Sequence, residues 1–378
     1  MKIKRPLLAN SIEGGKISLQ QLFLLNITFV ISTADIFLPN FVADIAKEDS
    51  WLSVIIATGL AAISVWAATK LQIRMGNRNI VDANDQLLGH LLGRVISIVI
   101  IVELLITLLL VLRQIDEVMI NVFLPSTPTL AIIILMMLIV IYGAHHGLEV
   151  LCRANEILVP FAFLTLVFIA LGNITDIQLK NFLPILYNGI TPVLHGAILI
   201  YASLAQVVLV ILMAGSHLRT VDNRLTQVGV SSVLILGLMM LVGVLAIAIF
   251  GAEHTAHMRF PALEMVRNID LHNFIQRLDA LVLGIWVGGI AIKLVATFYF
   301  CIVIIRQWFL INQKKHYIYV FLGIFSIILA NVTFQDMHML VSFGKGAYPI
   351  VQAVFYLLLP IILLLLSHFR KIKSSSTG

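Results

Sequence analysis

The sequence predicts an all-α integral membrane protein with ten transmembrane helices in a five-plus-five inverted repeat. Three observations point there. Of 378 residues, 60% are hydrophobic and only 12% charged, against about 25% charged in an ordinary soluble domain. The apolar residues gather in ten runs, each near the roughly 20 residues that a helix needs to cross a bilayer. The basic residues between the runs fall unequally on two sides, as they do in membrane proteins. This composition excludes a cytosolic enzyme, a disordered chain and a secreted disulfide scaffold. Ten spans also leave no room for a sizeable soluble domain.

The runs lie at about 18–45, 51–71, 95–121, 127–144, 150–171, 187–214, 226–251, 278–307, 317–334 and 347–367. With the N-terminus in the cytoplasm, 17 of the 25 Lys and Arg residues fall inside and 6 outside, while Arg113 and Lys293 lie within spans. That bias supports an even number of spans and two cytoplasmic termini. The chain then reads as one polytopic membrane domain, 1–378. A first repeat covers about 17–171 and a second about 187–367, with cytoplasmic tails at 1–16 and 368–378. Net charge is +6. Basic loops account for it, and no basic cluster interleaved with aromatics suggests nucleic-acid binding. Cys152 and Cys301 have no partner at metal or disulfide spacing and read as buried thiols.

Two connections carry helices of their own. In 79–93, Ile80, Val81, Leu87, Leu88, Leu91 and Leu92 share a face, the pattern of an amphipathic helix lying on the cytoplasmic side. In 260–275, Pro261 at a first helical position and Glu264 in the first turn mark a helix start on the outer side. The first lies between spans 2 and 3, the second between spans 7 and 8. Five spans per half is an odd number, so matching halves have inverted topology. In secondary transporters of that kind the ligand site sits mid-membrane, where the first helix of each half is interrupted.

Span 1 contains Ile31-Ser32-Thr33-Ala34-Asp35-Ile36-Phe37-Leu38-Pro39. Pro39 cannot donate to the carbonyl of Asp35, and small side chains leave the freed backbone accessible. The stretch is either a proline kink or an interruption, and the costly charge of Asp35 favours the interruption. The corresponding part of span 6 is Ile200-Tyr201-Ala202-Ser203-Leu204-Ala205-Gln206. It has no central glycine or proline, but its equivalence to span 1 predicts a break near Tyr201. The candidate ligand-binding residues are therefore Thr33, Ala34, Asp35, Ile36, Tyr201, Ala202 and Ser203.

Span 3 presents Glu103, Thr107, Leu110, Gln114 and Glu117 as one stripe, which must face protein or water. Arg113 is spaced to pair with Asp116 or Glu117 in a local cluster, and Arg153 with Glu156 in span 5. Lys293 lies too deep in span 8 to reach the interface easily, with Gly289 and Thr297 on its face. It calls for a counter-charge, Asp35 or Glu103. It is either a fixed staple between helices or a charge beside the ligand site that replaces a metal ion or carries a proton. Glu103, Lys293 and Thr297 are the candidate coupling residues. His145-His146 is a poor metal pair and marks the end of span 4, and His195 is either a core residue or part of the pathway. No phosphate loop, catalytic elbow or metal-ligand spacing occurs, so neither an enzyme nor a cofactor or metal is expected.

Several segments together resemble the spore germination permeases, the B-type subunits of nutrient germinant receptors. These are Lys16-Ile17-Ser18 with Phe37-Leu38-Pro39; Gly147-Leu148-Glu149-Val150 with Arg153, Glu156-Ile157-Leu158 and Pro160; and Phe260-Pro261-Ala262-Leu263-Glu264 with Phe274, Arg277-Leu278-Asp279-Ala280, Trp286 and Lys293. The resemblance spans nearly the whole chain. It implies a branch of the amino acid–polyamine–organocation transporters, with a leucine-transporter-like fold and discontinuous helices 1 and 6. It also implies a small nutrient ligand, usually an amino acid or sugar, and partner A-type and C-type subunits in the inner spore membrane. The chain departs from that pattern at Ser32 and Ala34, where glycines are usual, and at Ala205-Gln206, where a Gly-Glu pair is common. The expected function is a germinant-receptor subunit that binds a nutrient, an amino acid above all, mid-membrane and signals germination. The alternative is a proton-coupled amino-acid permease.

Overall fold

Each long apolar run forms a helix, because a bilayer leaves the backbone no other partner for its polar groups. The computed structural model describes residues 15–269, 278–311, 316–334 and 337–369, apart from the side chains of Asp35, 278–280 and Met337. The long helices are α1 (Leu19–Ala46), α2 (Ser50–Met75), α4 (His90–Val118), α5 (Thr129–His146), α6 (Leu148–Gly172), α9 (Arg224–Phe250), α12 (Leu278–Trp308), α13 (His316–Thr333) and α15 (Ala347–Phe369). Span 6 is built from α7 (Ile190–Leu204) and α8 (Gln206–Ala214). Short helices are α3 (Ile80–Leu88), α10 (Ala252–His257), α11 (Pro261–Asn268) and α14 (Met337–Lys345).

Among the described residues, nine helical stretches are long and apolar enough to cross a membrane. One of them, Ile36–Met75, joins the far half of α1 to α2, while the near half of α1, Leu19–Ala34, is apolar but short. Each of the ten predicted runs forms a helix, and nine stretches among the described residues have the length and composition of a membrane span. The chain is a multi-pass, all-helical membrane protein.

Helix α1 is the centre of the bundle and packs against α6, α7, α9, α10 and α12. A capping box starts it. The Ser18 hydroxyl accepts from the Gln21 N–H at 3.1 Å, and the Gln21 side chain accepts from the Ser18 N–H at 2.9 Å, which satisfies two N-terminal donors. Two polar ties then fix its rotation. Asn26 donates to Ser232 of α9 at 3.2 Å, and Thr28 to Asn155 of α6 at 2.7 Å. The expected interruption of span 1 is not seen: α1 runs unbroken from Leu19 to Ala46 with Pro39 inside. Ile31 to Leu38 contains no glycine to leave the helical region, and Pro39 removes only one hydrogen bond. In span 6 a single residue, Ala205, separates α7 from α8. It keeps helical dihedrals (φ −69°, ψ −12°) and donates to the Tyr201 carbonyl at 2.7 Å, so the predicted break near Tyr201 is a local irregularity and not an unwound stretch.

Helix α2 brings its neighbours close through small residues. Ser50, Ser53, Ala57, Ala61, Ser64 and Ala68 are buried along one side, and α7 and α9 lie against it. A Cβ added at Gly196 of α7 would sit 2.8 Å from the Ser53 hydroxyl, and one at Gly237 of α9 only 2.3 Å from that of Thr58. Close packing of this kind holds membrane helices together where hydrophobicity cannot.

The predicted amphipathic helix is shorter than 79–93. Asn79 caps α3 by accepting from the Asp82 N–H at 3.1 Å, and Ile80, Val81 and Leu87 are buried. The chain then turns at Gly89 with φ +85°, a conformation that favours glycine. Leu91 and Leu92 consequently belong to α4 and are exposed. The second connecting helix begins at Pro261 as expected and ends at Asn268, while residues 270–277, with Phe274 and Arg277, lie outside the described residues. Cys152 and Cys301 are buried free thiols.

Helix α3 rests on α4 across Gly93, where an added Cβ would lie 2.7 Å from the backbone of Asn84 and Asp85. Backbone cannot swing aside as a side chain can. Gly93→Leu should therefore destabilise the fold by about 1–3 kcal/mol, read as an earlier thermal unfolding in detergent. Gly59→Leu, at a position with nothing within 4 Å, should leave the midpoint unchanged or raised.

Candidate functional site

Lys293 lies at mid-depth of α12 and is 2% exposed. Its ammonium donates to the Thr33 hydroxyl of α1 at 2.8 Å and to the side-chain oxygen of Gln206 at 3.0 Å. The Phe29 ring lies 5.1 Å away, a cation–π distance. Gln206 is the first residue after the break in span 6, where Ala205 donates to the Tyr201 carbonyl at 2.7 Å. One side chain of α12 thus joins the middle of α1 to the restart of α8. Gly289 allows this approach, since a Cβ there would stand 3.1 Å from that of Ser32. Thr297, on the same face, donates to the Lys293 carbonyl at 2.8 Å and is bound within its own helix.

Above this junction lies a polar cavity of about 100 Å³. Of the sequence-predicted residues, Thr33, Ala34, Ala202, Ser203 and Lys293 line it, together with Gln206. Two others do not. Ile36 is packed in the core. Tyr201 turns to α2, its hydroxyl 2.6 Å from that of Ser64, because the small residues of α2 leave room there. The side chain of Asp35 lies outside the described residues. Among the described residues that line the cavity, Lys293 alone carries a formal charge. Phe41 of α1 and Leu340, Val341 and Gly344 of α14 also line it. Lys345 is paired to Asp44 at 2.8 Å and lies 5.0 Å from the Phe41 ring.

Glu103 is buried one layer behind the cavity wall. Its carboxylate accepts from Gln352 at 2.6 Å, Tyr356 at 2.9 Å, Tyr348 at 3.2 Å and Thr107 at 3.3 Å. Thr107, Tyr348 and Gln352 also line the cavity. Four neutral donors, three of them from α15, therefore hold a mid-membrane carboxylate. Tyr348, Gln352 and Tyr356 recur at i, i+4 and i+8, the spacing of one helical face. That pattern is legible in the last span, but none of the three residues is ionised, so a search for charge within the membrane does not single them out.

Glu103, one of the two expected counter-charges of Lys293, forms no ion pair with it, while the side chain of the other, Asp35, lies outside the described residues. The ion pairs among the described residues are Arg113–Asp116, Arg113–Glu117, Arg153–Glu149, Arg267–Glu264 and Lys345–Asp44. None contains Lys293 or Glu103. Arg113 forms the predicted local cluster. Arg153 pairs with Glu149 rather than Glu156, which instead accepts from Gln21 at 3.3 Å. His195 is exposed and lines no part of the cavity.

A second cavity, apolar and about 310 Å³, lies between α1, α6, α9 and α12. Ser32 lines it while its neighbour Thr33 faces the polar one. Consecutive residues of α1 point about 100° apart, so the two cavities occupy different sides of one helix.

Known proteins resemble this chain along most of its length. Spore germination protein KB of Bacillus subtilis (strain 168) is 25% identical over 95% of this chain and 96% of its own length. The putative spore germination protein YfkT of the same organism is 24% identical over 87% of this chain and 89% of its own. Among solved structures, Mhp1, a nucleobase-cation-symport-1 family transporter in a closed conformation with bromovinylhydantoin bound, superposes with a TM-score of 0.58. Identity there is 12%, over 99% of this chain and 98% of that one, so the likeness is one of fold: a leucine-transporter-like helical bundle. The family model described as "Spore germination protein" matches residues 16–337, and the chain accordingly belongs to the spore germination protein family.

Proposed function

We propose that this protein is the B-type subunit of a spore nutrient germinant receptor. It binds a small nutrient, an amino acid, in the polar cavity and passes the binding event to A-type and C-type partner subunits. On this reading it lies in the inner spore membrane with both termini in the cytoplasm. Its two repeats, about 17–171 and 187–367, meet at the cavity. The observation that supports the reading best is the junction at the cavity floor. A ligand that reaches Lys293 shares its ammonium with Thr33 and Gln206. It therefore acts on α1 and on the restart of α8 at once, and a differential contact of that kind is what a ligand needs to shift a conformational equilibrium. The work assigned to the chain is binding and signalling, and no catalytic role is proposed.

A deletion strain should lose nutrient-triggered germination. Purified protein in liposomes should show no concentrative uptake of labelled amino acids under an inward proton gradient. Such uptake would replace the receptor reading with that of a proton-coupled permease.

Two variants separate the cavity from the scaffold. Lys293→Ala should abolish the germination response per molecule of membrane-inserted protein, because the floor contact is gone. Arg113→Ala leaves Asp116 buried without its partner, a loss of about 3–5 kcal/mol. It should lower the amount of folded protein while the molecules that fold respond normally. Immunoblots paired with germination assays measure both, and an equal per-molecule response would remove the reason for choosing Lys293. Tyr356→Phe takes one donor from the buried Glu103 carboxylate and should cost about 1–3 kcal/mol of stability, measured as a lowered unfolding midpoint in detergent.

A further inference from the structure

We infer that Lys293 is the anchor for the carboxylate of the ligand, so that the cavity selects small monocarboxylates, amino acids with a free α-carboxyl, over their carboxamides. The inference rests on the nutrient-binding reading above and assigns its orientation.

An ammonium has three donors and no acceptor. Two of those of Lys293 are used, on Thr33 and Gln206, and both acceptors are neutral oxygens. Among the described residues no carboxylate stands within ion-pair distance of it. The nearest obvious candidate, Glu103, is occupied by Thr107, Tyr348, Gln352 and Tyr356. The bundle thus solvates its two mid-depth charges differently. The carboxylate is surrounded by donors and sits behind the wall. Lys293 stands at the wall itself, and among the described residues its ammonium has no ion-pair partner.

A buried charge without a counter-ion is costly in a low-dielectric setting. An anionic group entering the cavity supplies the missing partner through a charge-assisted hydrogen bond, roughly twice as strong as a neutral one. The charge to be balanced is a single one, which suits a carboxylate better than a phosphate dianion. The remaining polar groups of the wall, Ser203, Gln114, Tyr348 and Gln352, are neutral and offer hydrogen-bond acceptors to an amino group. The apolar ones, such as Phe37 and Leu199, face the ligand's side chain. A cavity of about 100 Å³ restricts that side chain to a small one.

The test uses the full-length protein in detergent, with each of the twenty L-amino acids, its primary carboxamide, and glucose as probes, read by thermal shift and confirmed by calorimetry. Lys293→Met is the main variant. It removes the charge while keeping an unbranched side chain, and its unliganded unfolding midpoint reports whether it folds. Lys293→Arg keeps the charge and serves if Lys293→Met does not fold. The expected result is that at least one small amino acid binds the natural protein at least tenfold more tightly than its carboxamide. Lys293→Met should lose that preference, with acid and amide becoming equal, and Lys293→Arg should retain it. Binding of acid and amide within twofold, or of glucose alone, overturns the carboxylate anchor and leaves the nutrient-binding reading standing. A preference that survives Lys293→Met overturns the assignment to Lys293. Failure of every probe to bind the natural protein overturns the nutrient-binding reading and the anchor with it.

Discussion

One positive charge at mid-depth, held by two neutral oxygens from two different helices, organises the inner bundle. Lys293 reaches α1 through Thr33 and α8 through Gln206. For that to happen α1 must sit at the centre in one rotation, which Asn26 and Thr28 fix by binding α9 and α6. Span 6 must end one helix and begin another at the level of the ammonium. Helix α12 must come close to α1, which Gly289 permits. Each condition follows from the cost of leaving an ammonium in hydrocarbon without donors satisfied and charge solvated.

The second mid-depth charge is treated in the opposite way. Glu103 is surrounded by four donors from side chains of α4 and α15, so its negative charge is spread over neutral groups and kept from the cavity. A direct pair between Lys293 and Glu103 would neutralise both and leave a wall without polarity to offer a ligand. Separating them costs stability and leaves the positive side of the site available. The third buried ionic feature, Arg113 with Asp116 and Glu117, is closed on itself and serves the scaffold.

Helix α2 explains why the cavity is as small as it is. Its small residues draw α7 and α9 inward, and its Ser64 takes the hydroxyl of Tyr201. That removes a bulky ring from the cavity and leaves Ala202 and Ser203 to face it. Phe41 and Gly344 line the cavity near the Lys345–Asp44 pair.

The sequence by itself determined the class, the run boundaries to within a few residues for most spans, the start of α11 at Pro261 and the depth of Lys293 within its span. These are carried by hydropathy, by proline stereochemistry and by the rarity of charge in a bilayer, all of which are local. Only the tertiary structure decided the course of the first helix of each half. Ile31 to Pro39 predicts an interruption and is continuous, whereas span 6, predicted to break near Tyr201, is divided only at Ala205, which keeps helical dihedrals. Local propensity differs by a few tenths of a kcal/mol per residue, less than a single hydrogen bond to a buried ammonium, which contributes about 1.5–3 kcal/mol. The same reason hid the partners of Glu103. Tyr348, Gln352 and Tyr356 lie about 250 residues away along the chain, and only the packing of α15 on the bundle brings their donors to one carboxylate.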